Sequence, residues 1–236
     1  LNTGLATPST GFTLDQSLRF EDGDNPSLSR TLSSTGNVYT ATFSAWIKRG
    51  KLGVQQNLFT SFPSTERTHL FFTGTDTLHF QTVVSSSEVT NVETTRKFRD
   101  TGAWYHIVVA MDTTESTPAN RVKFFINGGA AETALEQNDY QSEDGTLSFN
   151  TSGRAFYIGS YDTTQFPFDG YMAEVHWIDG TAYDADDFGE AGDYGEWKPK
   201  EVSGLTYGTN GFYLDFGNEI TKHTITANGN VNHSTT

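Results

Sequence analysis

FDGYMAEVHWIDG, residues 168–180, is the stretch whose reading decides the fold, together with WYHIVVAMDTT (104–114) and RVKFFINGG (121–129). Each reads as an apolar strand closed by a Gly, Asn or Asp turn signal. No helical punctuation separates one from the next, which points to packed antiparallel sheets and away from alternating βα units. WYHIVVAMD is apolar on both faces, with Ile107, Val109 and Met111 against Val108 and Ala110, so it predicts a strand covered on both sides. RVKFFINGG alternates, with Val122, Phe124 and Ile126 inward. Its Asn127-Gly128 pair supplies the positive φ angles that a tight hairpin requires.

The same texture extends outward. SLRFEDGD (17–24) sets Leu18 and Phe20 against Ser17 and Arg19, then reaches an acidic turn. TFSAWIKRG (42–50) places Phe43, Ala45 and Ile47 on one face and Ser44, Trp46 and Lys48 on the other. LFTSF, HLFFT, LHFQTVV, TNVETTRKF and FYIGSYD continue as short strands at even spacing, the pattern of a sandwich or barrel. After Gly180 the pattern changes. TAYDADDFGE reads as one helical turn, with Asp184 as N-cap and Asp187 three residues on. GTNGFYLDF (208–216) reads as a last strand with Phe212, Leu214 and Phe216 in register. The expected organisation is a lead-in over 1–15, a sandwich over 16–190, and a loop, final strand and polar tail over 191–236. Less than about one-tenth helix is expected, since no long 3.6-residue period occurs. Both ends read as continuous with something longer.

Composition narrows the function. Of 236 residues, 14% are aromatic, with 18 Phe against two Met, which suits a large, stiff β core. Cys is absent, which removes thiol catalysis, thiolate metal sites and disulfides together. The net charge of −14 is uneven: Tyr161 to Glu219 holds thirteen acidic residues and only Lys198 and Lys200 as bases. Such a surface repels a phosphate backbone, so nucleic acid is not an expected partner. No run of about 18 apolar residues occurs, so no helical membrane insertion is expected.

In this order the motifs resemble a concanavalin A-like, laminin-G-type jelly roll. The resemblance rests on SLRFEDGD, TFSAWIKRG, WYHIVVAMDTT, RVKFFINGG, FYIGS and FDGYMAEVHWIDG, and covers roughly residues 15 to 190. It implies an all-β, two-sheet antiparallel sandwich in which the opening and closing strands are neighbours, with Arg19 reaching Glu174. The closing segment, FDGYMAEVHWIDG with DFGE, Trp-Lys-Pro-Lys (197–200) and GTNGFYLDF, is similar to virion proteins of tailed marine phages. That similarity implies a fibre, spike or capsid-associated protein at the virion surface. Its implied partners are copies of itself, most simply a homotrimer, other virion proteins and a host surface glycan.

Candidate chemistry is sparse. Glu21, Asp22 and Asp24 crowd one turn, and Asp22 and Asp24 are the candidate ligands for a Ca²⁺ ion. Asp184, Asp186 and Gly189 match three places of an EF-hand loop, but Phe188 and Gly195 fall where ligands belong, so the helix-cap reading is preferred. The histidines lack zincin spacing. Glu174 and His176 share a strand face, and a sheet-surface role is preferred over acid–base work. The E-x-D-x-x-E pattern of jelly-roll glucanases does not occur and no G-x-S-x-G elbow is present, so the chain is expected to bind and not to catalyse. Sugars are held by aromatic faces flanked by carboxylates and amides. Tyr161, Asp162, Gln165 and Phe166 in the loop YDTTQFPFD, with Trp46, are therefore the candidate ligand contacts. The alternatives are a loop that buries Phe166 or Phe168 at the sandwich edge, and a purely structural assembly protein without glycan binding. Asn150 and Asn232 lie in N-x-S/T sequons.

Overall fold

The computed structural model describes residues 12–62 and 65–217, with the backbone of two further strands at 226–228 and 231–235. In chain order the strands are β1 (Gln16–Phe20), β2 (Ser27–Thr31), β3 (Thr40–Arg49), β4 (Gln56–Phe62), β5 (Arg67–Phe72) and β6 (Thr77–Val84). Next come β7 (Ser87–Lys97), β8 (Tyr105–Asp112), β9 (Val122–Ile126), β10 (Leu135–Asp139), β11 (Ala155–Ile158) and β12 (Gly170–Asp179). The last are β13 (Gly189–Ala191), β14 (Trp197–Pro199), β15 (Phe212–Leu214), β16 (Thr226–Asn228) and β17 (Val231–Thr235). Helix among the described residues is limited to three single 3-10 turns, at Asp22–Asp24, Pro118–Asn120 and Ala185–Asp187. In the last, Asp184 accepts from the Asp186 N–H at 3.1 Å while Asp187 accepts from the Asp184 N–H at 3.0 Å, the capping box expected there.

The strands form an all-β sandwich. A seven-stranded sheet runs β17-β1-β12-β3-β8-β9, with β15 also on β12. An eight-stranded sheet runs β10-β7-β6-β5-β4-β11-β2-β16, and β13 and β14 make a separate ribbon. Alternation explains the packing. Phe43, Ile47, Val109, Phe124, Met172 and Trp177 of the first sheet face Phe59, Leu70, Phe72, Phe80, Val92 and Phe156 of the second. Each such side chain contributes about 1.5–3 kcal/mol on burial. Around Trp177 the rings of Phe156, Phe59 and Phe149 lie at 4.8, 5.2 and 5.4 Å.

Two expectations are corrected. The opening strand β1 does lie beside β12, but Arg19 pairs opposite Tyr171, not Glu174. Its guanidinium sits 5.3 Å from the Tyr171 ring and reaches Asp169 at 3.2 Å and Glu21 at 2.8 Å. Glu174 lies past the end of the β1 pairing, at a bulge in β12 with φ 48°, and its carboxylate meets the Tyr213 hydroxyl. The Asn127-Gly128 turn has the expected positive φ angles, 53° and 71°, yet makes no hairpin. The next strand, β10, pairs with β7 in the other sheet. The turn instead closes on β8 through the His106 N–H to Asn127 Oδ1 at 2.7 Å, and the Trp197 ring fills the space where a Cβ on Gly128 would stand.

One end of the sandwich is gathered on Asp179, the last residue of β12 and 5% exposed. Its Oδ1 accepts from the Asn37 N–H at 2.7 Å and from the Asn150 amide at 2.9 Å, and its Oδ2 from the Asn210 N–H at 2.9 Å. Asn150 in turn accepts from the Trp177 indole at 2.9 Å. Gly36 is obligatory here, because a Cβ would stand 1.8 Å from the Asp179 carboxylate. Asn150 is fully buried, so its sequon is closed to modification in the folded chain; the side chain of Asn232 lies outside the described residues. Replacing Asp179 with Ala removes the acceptor of three donors, the part-buried Asn37 N–H and the buried Asn150 amide and Asn210 N–H. Hydrogen bonds to a charged group each contribute about 1.5–3 kcal/mol. We expect Asp179→Ala to lower stability by about 3 kcal/mol or more in urea unfolding, and an unchanged midpoint would contradict this account.

Candidate ligand-binding cleft

The outer face of the eight-stranded sheet is polar and organised. Strand alternation turns Leu70 and Phe72 into the core and leaves Arg67, His69 and Phe71 of β5 on the outside. On β6 the outward residues are Thr77, His79 and Gln81, and on β7 they include Asn91 and Glu93. These side chains bond to one another across the strands. Asn57 donates to His69 Nδ1 at 3.1 Å, and His69 Nε2 donates to Gln81 Oε1 at 2.9 Å, which defines the neutral tautomer. Gln81 then donates to Glu88, Asn91 donates to Glu88 at 2.8 Å, and His79 Nε2 lies 2.5 Å from Asn91 Oδ1. Burial pushes the His69 pKa down to about 4, so the ring is uncharged at neutral pH.

The loop between β11 and β12 stands over this face and is tied to it. Tyr161 N–H donates to the Gln165 carbonyl at 3.0 Å, Asn57 N–H to the Phe166 carbonyl at 3.0 Å, and Phe168 N–H to the Gly159 carbonyl at 2.8 Å. The Tyr161 ring lies 5.4 Å from Phe62, 5.4 Å from His69 and 5.9 Å from Phe166. Between loop and sheet lies a cleft of about 280 Å³, walled by Tyr161, Gln165 and Phe166 on one side and Gln55, Arg67, His69, Phe71 and Gln81 on the other.

Tyr161, Gln165 and Phe166 thus meet as candidate contacts. Phe166 is 40% exposed at the rim, whereas Phe168 is fully buried, 5.9 Å from Phe20, so the loop buries one ring and presents the other. Asp162 is turned into the loop: its carboxylate accepts from the Thr164 and Gln165 N–H groups and from the Gln165 amide, each at 2.8 Å. Trp46 is on the opposite sheet, 6% exposed and stacked on His106 at 4.8 Å, and so does not share this cleft. There it borders a separate apolar cleft of about 380 Å³ with Trp104 and Pro199. In the acidic turn the structure groups Glu21 and Asp22 with Asp169, their ligand atoms within 4.8 Å, while Asp24 is not in the group. Arg19 and Lys51 pair with these carboxylates, and the Lys51 hydrogen bond holds the Asp22 carboxyl below its ordinary range. The three carboxylates are drawn together by an ion-pair network with Arg19 and Lys51. Sequence reasoning missed Arg67, His69 and Gln81. The outward positions of RTHLFF carried the signal, a cation and two rings at every second residue.

A family model described as the concanavalin A-like lectin/glucanases superfamily, of laminin-G type, matches residues 21–186. The chain belongs to this superfamily. Among solved structures it is similar to a Bacteroides ovatus protein assigned as carbohydrate-binding, with TM-score 0.62 and 16% identity over 95% of this chain and 60% of that one. A heptameric SAP-like pentraxin from Limulus polyphemus gives TM-score 0.51 and 16% identity over 72% and 78% of the two chains. Domains LG4-5 of the mouse laminin α1 chain give TM-score 0.50 and 13% identity over 84% and 48%. These likenesses are of fold. No curated protein is significantly similar in sequence.

The superfamily match ends at residue 186, and the chain beyond it covers part of the outer face of the seven-stranded sheet. Phe188, Trp197, Val202, Leu205 and Tyr207 pack over Val108, Ala110, Phe125 and Ile178, which is why β8 is apolar on both sides. The cover is held by two buried histidines of the concanavalin A-like sheet. The Trp197 indole donates to His106 Nδ1 at 2.9 Å, and the Tyr207 hydroxyl meets His176 Nδ1 at 2.7 Å. His106 Nε2 donates to Ser44 at 3.0 Å, whereas His176 Nε2 has no partner among the described residues. Glu174 and His176 therefore lie beneath a covering segment and not on an open sheet surface. Burial lowers both histidine pKa values to about 3, and burial raises that of Glu174 to about 7.

The histidine contribution is complete above the ordinary pKa of about 6.5 and is lost as the pH falls toward 3, because the unfolded chain binds protons first. The Glu174 contribution has the opposite sign, present below its ordinary pKa of 4.5 and lost as pH rises through 7. Two histidines outweigh one carboxyl over the range they share. We expect unfolding free energy to decline from about pH 6.5 to about pH 4, with the His106 and His176 ring proton resonances unmoved over that range. Glu174→Gln removes the opposing contribution and should steepen the decline. Either histidine titrating near 6.5 in the folded protein would contradict the assignment.

Proposed function

We propose that this chain is a non-catalytic glycan-binding module whose contact surface is the cleft under the 160–168 loop, and that it serves as an adhesion part of a phage virion. The observation that carries the binding reading is the Tyr161 and Phe166 pair beside a row of side-chain amides and a neutral histidine lining one cleft. Rings of this kind stack on the apolar faces of sugars, and the amide row answers hydroxyl groups. The loop is braced before any ligand arrives, by Asp162 within it and by Asn57 beneath it, which lowers the ordering cost of binding. The likeness to a protein assigned as carbohydrate-binding supports this reading. The non-catalytic part is supported by the carboxylates nearest the cleft, Asp162 and Glu88, whose oxygens accept from the protein's own donors. Glycoside hydrolysis needs two carboxyl groups flanking the scissile bond.

The virion part rests on the resemblance of the closing segment, and it carries with it self-association, most simply as a homotrimer, at the particle surface. A structural reading in which the cleft seats a neighbouring copy makes a different prediction for the same variant. On glycan binding, Tyr161→Ala should lose at least about tenfold in affinity on a glycan array, about 1.4 kcal/mol, with the melting temperature and the light-scattering mass unchanged. A variant that keeps glycan binding and loses the oligomer would select the structural reading. Release of reducing sugar by the pure protein would overturn the non-catalytic one.

A further inference from the structure

Resting on the glycan reading of the same cleft, we infer that its ligand is an anionic saccharide, one bearing a carboxylate or sulfate group, anchored by Arg67. The ground for it is which donors and acceptors the cleft leaves unspent. Six of the eight arginines are paired with carboxylates: Arg19, Arg49, Arg96, Arg99, Arg121 and Arg154. Arg30 lies over the Phe212 ring. Arg67 borders the cleft with no carboxylate in ion-pair range among the described residues, in a chain whose acidic residues outnumber its basic ones 29 to 15. Among the described residues its one side-chain hydrogen bond is to Gln81 Oε1 at 3.3 Å, so most of its five N–H donors have no partner there.

The carboxylates beside the cleft and the Gln81 side-chain carbonyl are engaged, whereas the Gln55 and Gln165 side-chain carbonyl oxygens accept from no described residue. Gln81 Oε1 is already shared by Arg67 and His69. The Asp162 carboxylate accepts from Thr164 and Gln165, and that of Glu88 from Gln81 and Asn91. The Tyr161 hydroxyl has no hydrogen-bond partner among the described residues and adds another free donor at the same wall. His69 is held neutral, and with its pKa near 4 it adds no charge at neutral pH, which leaves Arg67 as the one cation among the residues lining the cleft. A cleft whose lining cation has no carboxylate partner among the described residues is suited to a ligand that brings a negative charge. A planar guanidinium matches a carboxylate or sulfate with two parallel N–H bonds. Stacking on Tyr161 supplies the sugar-ring contact and Arg67 selects for charge.

The test uses the whole chain and matched probes: an oligogalacturonate against its carboxyl-reduced galactan oligomer, and a sulfated against a desulfated galactan oligomer. The expected result is at least about tenfold tighter binding to one anionic member of a pair than to its neutral counterpart, weakening as salt rises from about 50 to about 300 mM. The pair showing the preference tells carboxylate from sulfate. Arg67→Gln should abolish the preference and keep the melting temperature, and Arg67→Lys should restore part of it. Equal binding of charged and neutral members, lost in Tyr161→Ala, would overturn the anion assignment and leave the glycan reading standing. Binding to no member of either pair or of a broad glycan array would overturn both. An anionic preference that survives in Arg67→Gln would overturn the assignment to this residue.

Discussion

The carboxylate of Asp179, closed off at the end of the central strand β12, is the constraint on which the sandwich depends. A sandwich packs by two apolar faces, and apolar contact alone permits the sheets to slide. Asp179 removes that freedom at one end. It fixes the 34–37 loop, the 150 loop and the 210 turn on one acceptor pair, while Asn150 carries the same network into the core through the Trp177 indole. At the far end of β3, beside β12, Arg49 has the matching role. Its side chain is fully buried, donating to Asp76 at 3.2 Å and to the Phe98 carbonyl at 2.7 Å, with Phe72 4.3 Å beneath the guanidinium. Two buried charged groups thus mark the ends of the central strand pair. Each is costly unless every partner is in place, which makes them specifiers of register and not merely sources of stability.

Much of this was legible in sequence, and the reason is local. Period-2 alternation records which face of a strand meets the core, so Val122, Phe124 and Ile126, and the doubly apolar β8, are read directly. Lateral pairing is recorded less well. Nothing in FDGYMAEVHWIDG announces a bulge at Glu174, and without it Arg19 is paired too far along the strand. Asn127-Gly128 states the angles of a turn but not the destination of the chain after it, which here depends on Trp197, distant in sequence.

The candidate site shows the same division. Tyr161, Gln165 and Phe166 could be proposed because they are neighbours in one loop. Their counterparts Arg67, His69 and Gln81 come from two other strands and meet the loop only through the sheet order β6-β5-β4-β11. Trp46 failed to join them for a related reason. Composition marks it as a sugar-stacking ring, yet strand parity places it outward on the seven-stranded sheet, where His106 stacks on it. Asp162 illustrates a further limit. A carboxylate in a loop reads as a ligand contact until the loop's own N–H groups are counted against it.

The two sheet faces, similar in strand content, have been put to different ends by the residues outside the superfamily match. Residues beyond 186 cover part of one face with apolar and aromatic groups over neutral histidines. The other keeps a hydrogen-bonded polar row beside an aromatic loop. Behind the polar face, Trp177 and Phe59 are in ring contact in the core that backs β4 and β5. The side chains of the polar face are held by one another. Such preorganisation reduces the entropy lost on association. A shallow cleft with few contacts gains most from it, because the ordering cost would otherwise consume a large share of its small binding energy. This is the physical ground on which the proposed recognition is assigned to the hydrogen-bonded polar face.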